Sequence, residues 1–133
     1  MAHDIINPRE LHDPVPFGYS HTAAVPAGAR LVVVAGQYGS GPDGLVVSAD
    51  FAEQVRRAFH NVGVALAAHG LELGHVIQLR TYVVTIDRDK LRTIGEVVAS
   101  HWGARPPPQT LLGVAGLAMP DMLFEVEALA ARP

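Results

Sequence analysis

The chain contains no cysteine. That excludes disulfides, thiolate nucleophiles and cysteine-based metal sites. Basic residues are few. Lys and Arg number 10 against 13 Asp and Glu, a net charge of -3 with His neutral. The densest basic group, Arg88, Lys90 and Arg92, is interrupted by Asp87 and Asp89. A nucleic-acid footprint needs clustered Lys and Arg, so the composition argues against such a partner. No apolar run reaches the roughly 18 residues of a membrane helix, and no membrane partner is expected. The opening Met1-Ala-His-Asp-Ile-Ile-Asn-Pro8 has neither the basic nor the apolar region of a signal peptide. The expectation is a cytoplasmic protein.

What is present is an ordinary globular composition, 49% hydrophobic and 17% charged over 133 residues. That length is read as one domain, 1–133, large enough to bury a full core. The mean hydropathy of +0.21 points weakly toward buried subunit contacts.

Pro8, Pro14, Pro16 and Gly18 make residues 1–18 an extended or looped lead-in. Tyr19 to Val25 reads as a first strand. Leu31-Val-Val-Val-Ala35 is a β-branched run suited to a strand buried on both faces. The loop at 38–48 holds Gly39, Gly41, Pro42 and Gly44, with Leu45-Val-Val47 as a short return strand. Asp50 is an N-cap, Glu53 follows in the first turn, and Phe51, Val55, Ala58, Phe59, Val62 and Leu66 recur at helical spacing until Gly70. Val76 to Thr85 is a strand in which Val76, Gln78, Arg80 and Tyr82 alternate with Ile77, Leu79, Thr81 and Val83. Asp87 caps a second helix with Leu91, Ile94, Val97, Val98 and Trp102 on one stripe, closed by Gly103. Two strands are expected at about 109–117 and 122–130. This order implies an α+β fold, a mixed β-sheet with both helices packed on one face. The other face is then expected to be apolar and uncovered, which points to oligomerisation.

The closing strand carries Glu125 and Glu127, which share a face because residues i and i+2 do. An acid on a face that ought to be buried is costly unless it is paired or has work to do. A carboxylate beside the polar strand opening Gln109-Thr110 is a place to hold water against a small substrate. The plainer reading of Glu125 is a structural acid satisfied by backbone donors; Glu127 reads as a solvent or interface residue. Gly36-Gln37 ends a strand, and backbone N–H groups there are able to bind a carbonyl or carboxylate. Tyr19 and Ser20 are either strand-edge packing or ligand contacts. The 7 histidines are dispersed and predict no metal site. The Ser20-His21 pair points to opposite faces of a strand, against a catalytic triad.

Several pieces in order resemble the reactive intermediate deaminase superfamily, the YjgF or RidA family. They are Gly18-Tyr-Ser-His21, Leu31-Val-Val-Val-Ala-Gly-Gln37, Asp50-Phe-Ala-Glu-Gln54 with Asn61-Val, Leu66-Ala-Ala-His-Gly70, and Val114 to Ala130 with Glu125-Val-Glu127. The resemblance implies a chorismate-mutase-like fold and a homotrimer with three intersubunit clefts. In the best-known branch the cleft hydrolyses 2-imino or 2-enamino acids without a cofactor. There an Arg pairs with the substrate carboxylate and a Glu positions the attacking water. Glu125 matches that Glu. Gln109 stands where the Arg belongs, and Gly95 where many members carry Asn. Arginine clamps a carboxylate with two charged bonds; glutamine offers only neutral ones. Arg105 lies four residues earlier, behind three prolines that fix its path.

The resemblance and the residues together assign a small-molecule ligand to a cleft holding Glu125, with Gln109, Thr110, Tyr19, Ser20, Gly36 and Gln37 as binding residues and no metal or cofactor. They leave two functions open: hydrolysis of an imine, enamine or related carbonyl compound, or a non-catalytic ligand-binding trimer. The family's description as a ribonuclease or translation inhibitor is a third, against which the net negative charge counts.

Overall fold

A computed structural model describes residues 3–133. The first two residues of the segment read as lacking a leader lie outside the described residues. The elements are β1 (Asp4–Ile6), a 3-10 turn (Val15–Phe17), β2 (Thr22–Ala24), β3 (Arg30–Tyr38), α1 (Phe51–Ala67), a 3-10 turn (Leu73–His75), β4 (Val76–Val84), α2 (Arg88–Trp102), β5 (Gln109–Val114) and β6 (Phe124–Arg132). β3, β6, β4 and β5 form one sheet in that order. β6 pairs antiparallel with β3 and β4, whereas β4 and β5 are parallel. The last two strands of the chain therefore do not touch each other; β4 lies between them. That matters for the site, because Gln109 and Glu125 belong to strands separated by a third.

Asp50 accepts the Glu53 amide at 3.0 Å and Asp87 accepts the Lys90 amide at 2.8 Å, so both helices start where a short acid satisfies an orphan N–H. Leu71 N bonds to Leu66 O and Gly70 N to Ala67 O, with Gly70 at φ 71°. This paired ending needs a left-handed residue, which glycine adopts without strain. Thr85, at φ 57°, turns the chain between β4 and α2. The Lys90 ammonium donates to the carbonyls of Val84 and Thr85 at 2.8 and 2.9 Å and holds that turn.

Both helices lie on one sheet face. Val55, Phe59, Val62 and Leu66 of α1 and Ile94 and Val98 of α2 meet Val32, Val34, Leu79, Val83, Phe124, Val126 and Ala130 of the sheet. Phe59 is the centre of this core, with Phe124 and Trp102 rings at 5.9 and 5.8 Å. Each large side chain fully removed from water contributes about 1.5–3 kcal/mol. The buried Gln54 is the polar joint. It donates to Ser48 O and Asp121 O and accepts from Leu123 N, at 2.9, 3.0 and 2.9 Å, fastening two loops to α1.

The extended or looped lead-in holds a short strand, because Asp4–Ile6 pairs with Thr22–Ala24. Three expectations need correction. The expected first strand is shorter than Tyr19–Val25, since Asn7 Oδ1 takes the His21 amide at 2.7 Å and interrupts pairing there. Strand β3 is buried on one face only: Val32 and Val34 are buried, but Leu31 and Val33 are 54% and 79% exposed. It is an edge strand with helices on one side. The open face is uncovered as expected, yet not uniformly apolar. Leu31, Val33 and Leu112 are exposed on the two edge strands, while the central pair presents Gln78, Arg80, Tyr82, Glu125 and Glu127.

Candidate functional site

The polar strip on the open face is built by strand alternation. Phe124, Val126, Ala128 and Ala130 turn to the helices, so Glu125, Glu127 and Leu129 turn away. Across the β4–β6 ladder Glu125 faces Tyr82 and Glu127 faces Arg80; on the other side Glu125 faces Tyr38. Between Val34 and Gln37 the β3 register slips, and Gly36 sits in that irregularity. A Cβ placed on Gly36 would lie 2.7 Å from Glu125 Oε2 and 2.8 Å from its Cδ. The Glu125 carboxyl thus packs directly over bare backbone. Any side chain at Gly36 would take the carboxyl's seat and displace it.

Half-burial raises the pKa of Glu125, and the Glu127 charge on the same face raises it further. Tyr82 donates its O–H to Glu127 Oε1. That hydrogen bond, then burial, raises the Tyr82 pKa. Next to this strip a shallow depression of about 160 Å³ is lined by Val33, Gln78, Arg80, Glu127, Ala128 and Leu129. Chemically, the strip offers a carboxyl able to hold or release a proton above the ordinary glutamate range, a second carboxylate and a guanidinium.

The other sequence-derived site residues divide between the two faces. Thr110 shares the open face and is the parallel partner of Arg80. Gln109 does not share it. Its register partner is the buried Leu79, its Oε1 accepts the Thr81 hydroxyl at 2.6 Å, and its Nε2 donates to Gly18 O at 3.0 Å. Gln109 is thereby a tie between β5, β4 and the Gly18 turn. Gln37 also turns to the helix side, where it lines a groove of about 360 Å³ with Arg57, His60 and Val64, while its amide donates to Ala35 O at 3.2 Å. Tyr19 hydrogen-bonds His12 through its hydroxyl and packs edge-on to His21 at 5.5 Å. Ser20 is 1% exposed, its amide bonded to Pro107 O at 3.2 Å, and its Oγ is without a partner among the described residues. Within one chain, then, Glu125, Gly36 and Thr110 share the open face, whereas Gln109 and Gln37 are on the opposite one. Among the described residues no group of three or more His, Asp or Glu side chains is arranged to hold a metal.

Tyr82, Arg80 and Gln78 were missed as site residues. The signal was available: a strand whose odd members are Leu79, Thr81 and Val83 must place Gln78, Arg80 and Tyr82 together on the other face. What the sequence withheld was that β6, not β5, is their neighbour in the ladder on the acidic side.

The fold and the strip define an α+β chain with two helices on one sheet face and a carboxylate-bearing open face. The family model described as endoribonuclease L-PSP matches residues 13–132. The chain belongs to that family, the RidA/YjgF superfamily, and has its chorismate-mutase-like fold. It is 34% identical over 116 residues to the RutC family protein YjgH of Escherichia coli, covering 86% of this chain and 85% of that protein. It is 29% identical over 102 residues to the human 2-iminobutanoate/2-iminopropanoate deaminase, covering 76% and 72%. The crystal structure of YyfB from Yersinia pestis, a Rid family protein of unknown function, superposes with a TM-score of 0.91 at 34% identity over 98% of each chain. No helix among the described residues is long and apolar enough to cross a membrane.

Proposed function

We propose that this chain is a cytoplasmic homotrimer of one domain per subunit, and that its open sheet faces contribute to clefts between subunits. Each cleft takes a small carbonyl, imine or enamine compound, and Glu125 positions the water that attacks it. The observation that carries this reading is the seat of Glu125. Its carboxyl lies over Gly36, half-buried, with Glu127 beside it, and its proton is held above the ordinary glutamate range. A carboxyl poised in that way suits general acid–base work on water. The Gly36 backbone and Thr110 are on hand for the substrate oxygen, and Tyr19 and Ser20 would come to the cleft from their own turn. Relatives named as deaminases support the reaction class. The exposed Leu31, Val33 and Leu112 support subunit contact through this face.

The commitment of Gln109 favours a second reading, a trimer that retains a ligand without turning it over. Its amide is spent on Gly18 and Thr81, so β5 supplies no cationic clamp for a substrate carboxylate. Ammonia and 2-oxo acid release from freshly generated 2-imino acids separates the two. Turnover that disappears in Glu125→Ala supports catalysis. Tight ligand retention by a silent wild type supports the second reading, and turnover undiminished in Glu125→Ala removes the assignment of Glu125.

A further inference from the structure

The direction in which Glu127 points is not the one its register suggests. Arg80 is its cross-strand partner, and a Glu–Arg pair directly opposite each other is ordinarily favourable. Among the described residues the only ion pairs are Arg56–Glu53 and Arg92–Asp89; Glu127 and Arg80 do not form one. Glu127 instead reaches diagonally to the hydroxyl of Tyr82, which is the cross-strand partner of Glu125. That diagonal carries the Glu127 carboxylate toward Glu125.

We propose that Tyr82 is a positioning residue: by taking the Glu127 carboxylate it holds that charge beside Glu125 and away from Arg80. The proposal deepens the reading of Glu125 given above and rests on it for its functional meaning. Its structural content stands apart from turnover. Without the phenol hydroxyl, Arg80 is the cross-strand cation left to take the Glu127 carboxylate, and pairing with Arg80 would neutralise the charge that now faces Glu125. Within one chain the titratable groups that face Glu125 are few. From β3 comes Tyr38, whose hydroxyl is turned away to Gly44 O at 2.6 Å. From β4 come Tyr82 and Arg80, and from its own strand Glu127. The helices pack on the opposite face. Burial and Glu127 are the causes that raise the Glu125 pKa, in that order; the second is the one that Tyr82 controls. The same arrangement leaves the Arg80 guanidinium unneutralised at the edge of its depression.

The test is a carboxyl titration of the whole protein by NMR, with glutamate side chains carbon-labelled and the Glu125 signal assigned by its loss in Glu125→Gln. Tyr82→Phe keeps the ring and its packing, and removes only the hydroxyl. The expected result is that the Glu125 curve moves to lower pH in Tyr82→Phe, moves likewise in Glu127→Gln, and moves no further in the double variant than in Glu127→Gln alone. An unchanged Glu125 curve in Tyr82→Phe, with Glu127→Gln shifting it, would overturn the role of Tyr82. Unchanged curves in both variants would overturn it as well, because Glu127 would then not act on Glu125. A shifted curve in a protein without turnover would leave Tyr82 assigned and remove the catalytic reading. With turnover present, the acid limb of its pH profile should move the same way, which a merely structural tyrosine would not cause.

Discussion

Replacing Gly36 by alanine isolates the contact that seats Glu125. The new Cβ would stand 2.7 Å from Oε2, 2.8 Å from Cδ and 3.1 Å from Cγ of Glu125. Two of these are closer than real Cβ contacts come, so the carboxyl must leave. It can, because it is the end of a side chain on the open face. Gly36 has no left-handed φ, so alanine brings no backbone strain. The expected cost is about 1 kcal/mol, a rotamer change and mild overpacking. Gly39 is the control. Its Cβ would lie 2.7 Å from Gln54 Cα and 3.0 Å from Gln54 O, which is α1 backbone. A helix cannot step aside, so Gly39→Ala is expected to cost about 3 kcal/mol, the upper end for overpacking. Thermal unfolding at fixed protein concentration reads the difference. At this chain length about 1 kcal/mol corresponds to roughly 3–5 °C. The decisive arm is a double-mutant cycle. In a Glu125→Ala background, Gly36→Ala should cost nothing, or stabilise slightly through the unfolded state. A cost that persists in that background would refute the claim that Glu125 fills the space above Gly36.

Other outcomes follow from the same geometry. Glu125 has a raised folded-state pKa, so the folded chain holds that proton more tightly than the unfolded chain, and stability falls as pH rises above the ordinary glutamate value through the raised one. Glu125→Gln should therefore be more stable than wild type at neutral pH, with the gain fading below the ordinary range; chemical denaturation at both pH values checks it, and a pH-independent gain would contradict it. Gln109→Arg should not place a cation beside Glu125. It should cost about 1–3 kcal/mol by stripping the partners of the Thr81 hydroxyl and Gly18 carbonyl, which thermal unfolding would register. Gln54→Leu strips the side-chain partner from the backbone groups Ser48 O, Asp121 O and Leu123 N, an expected loss of about 3 kcal/mol at about 1 kcal/mol per hydrogen bond; a near-neutral result would contradict the joint assigned to Gln54.

Both helices, their caps and their apolar stripes were legible because they rest on local signals: Asp50, Asp87, Gly70 and a 3.6-residue period. So were four of the strands and the open sheet face. The sides of that sheet were legible in part. Alternation placed Glu125 with Glu127 and Gln78 with Arg80 and Tyr82, but strand order is a long-range fact. Nothing local says that β4 inserts between β5 and β6, which is why Gln109 was read beside Glu125 when it belongs to the helix side. The slip at Gly36 was equally hidden. Reading Gly36-Gln37 as one unit ignores that adjacent strand residues face opposite ways, and the two end up on opposite faces. The short pair Asp4–Ile6 and Thr22–Ala24 escaped because three residues carry no usable period, and its anchors, Asn7 to His21 and Thr22 to Ile6 O, span 14 and 16 residues.

The most direct test of the central claim is turnover of freshly generated 2-imino acids by Glu125→Gln beside wild type, near neutral pH. The variant keeps the side chain's shape over Gly36 and loses only its ability to take and return a proton. A positioned acid–base group contributes about 10²–10⁴-fold. The expected result is a folded variant with the wild-type assembly state whose turnover falls by at least about a hundredfold. Turnover indistinguishable from that of wild type would contradict it.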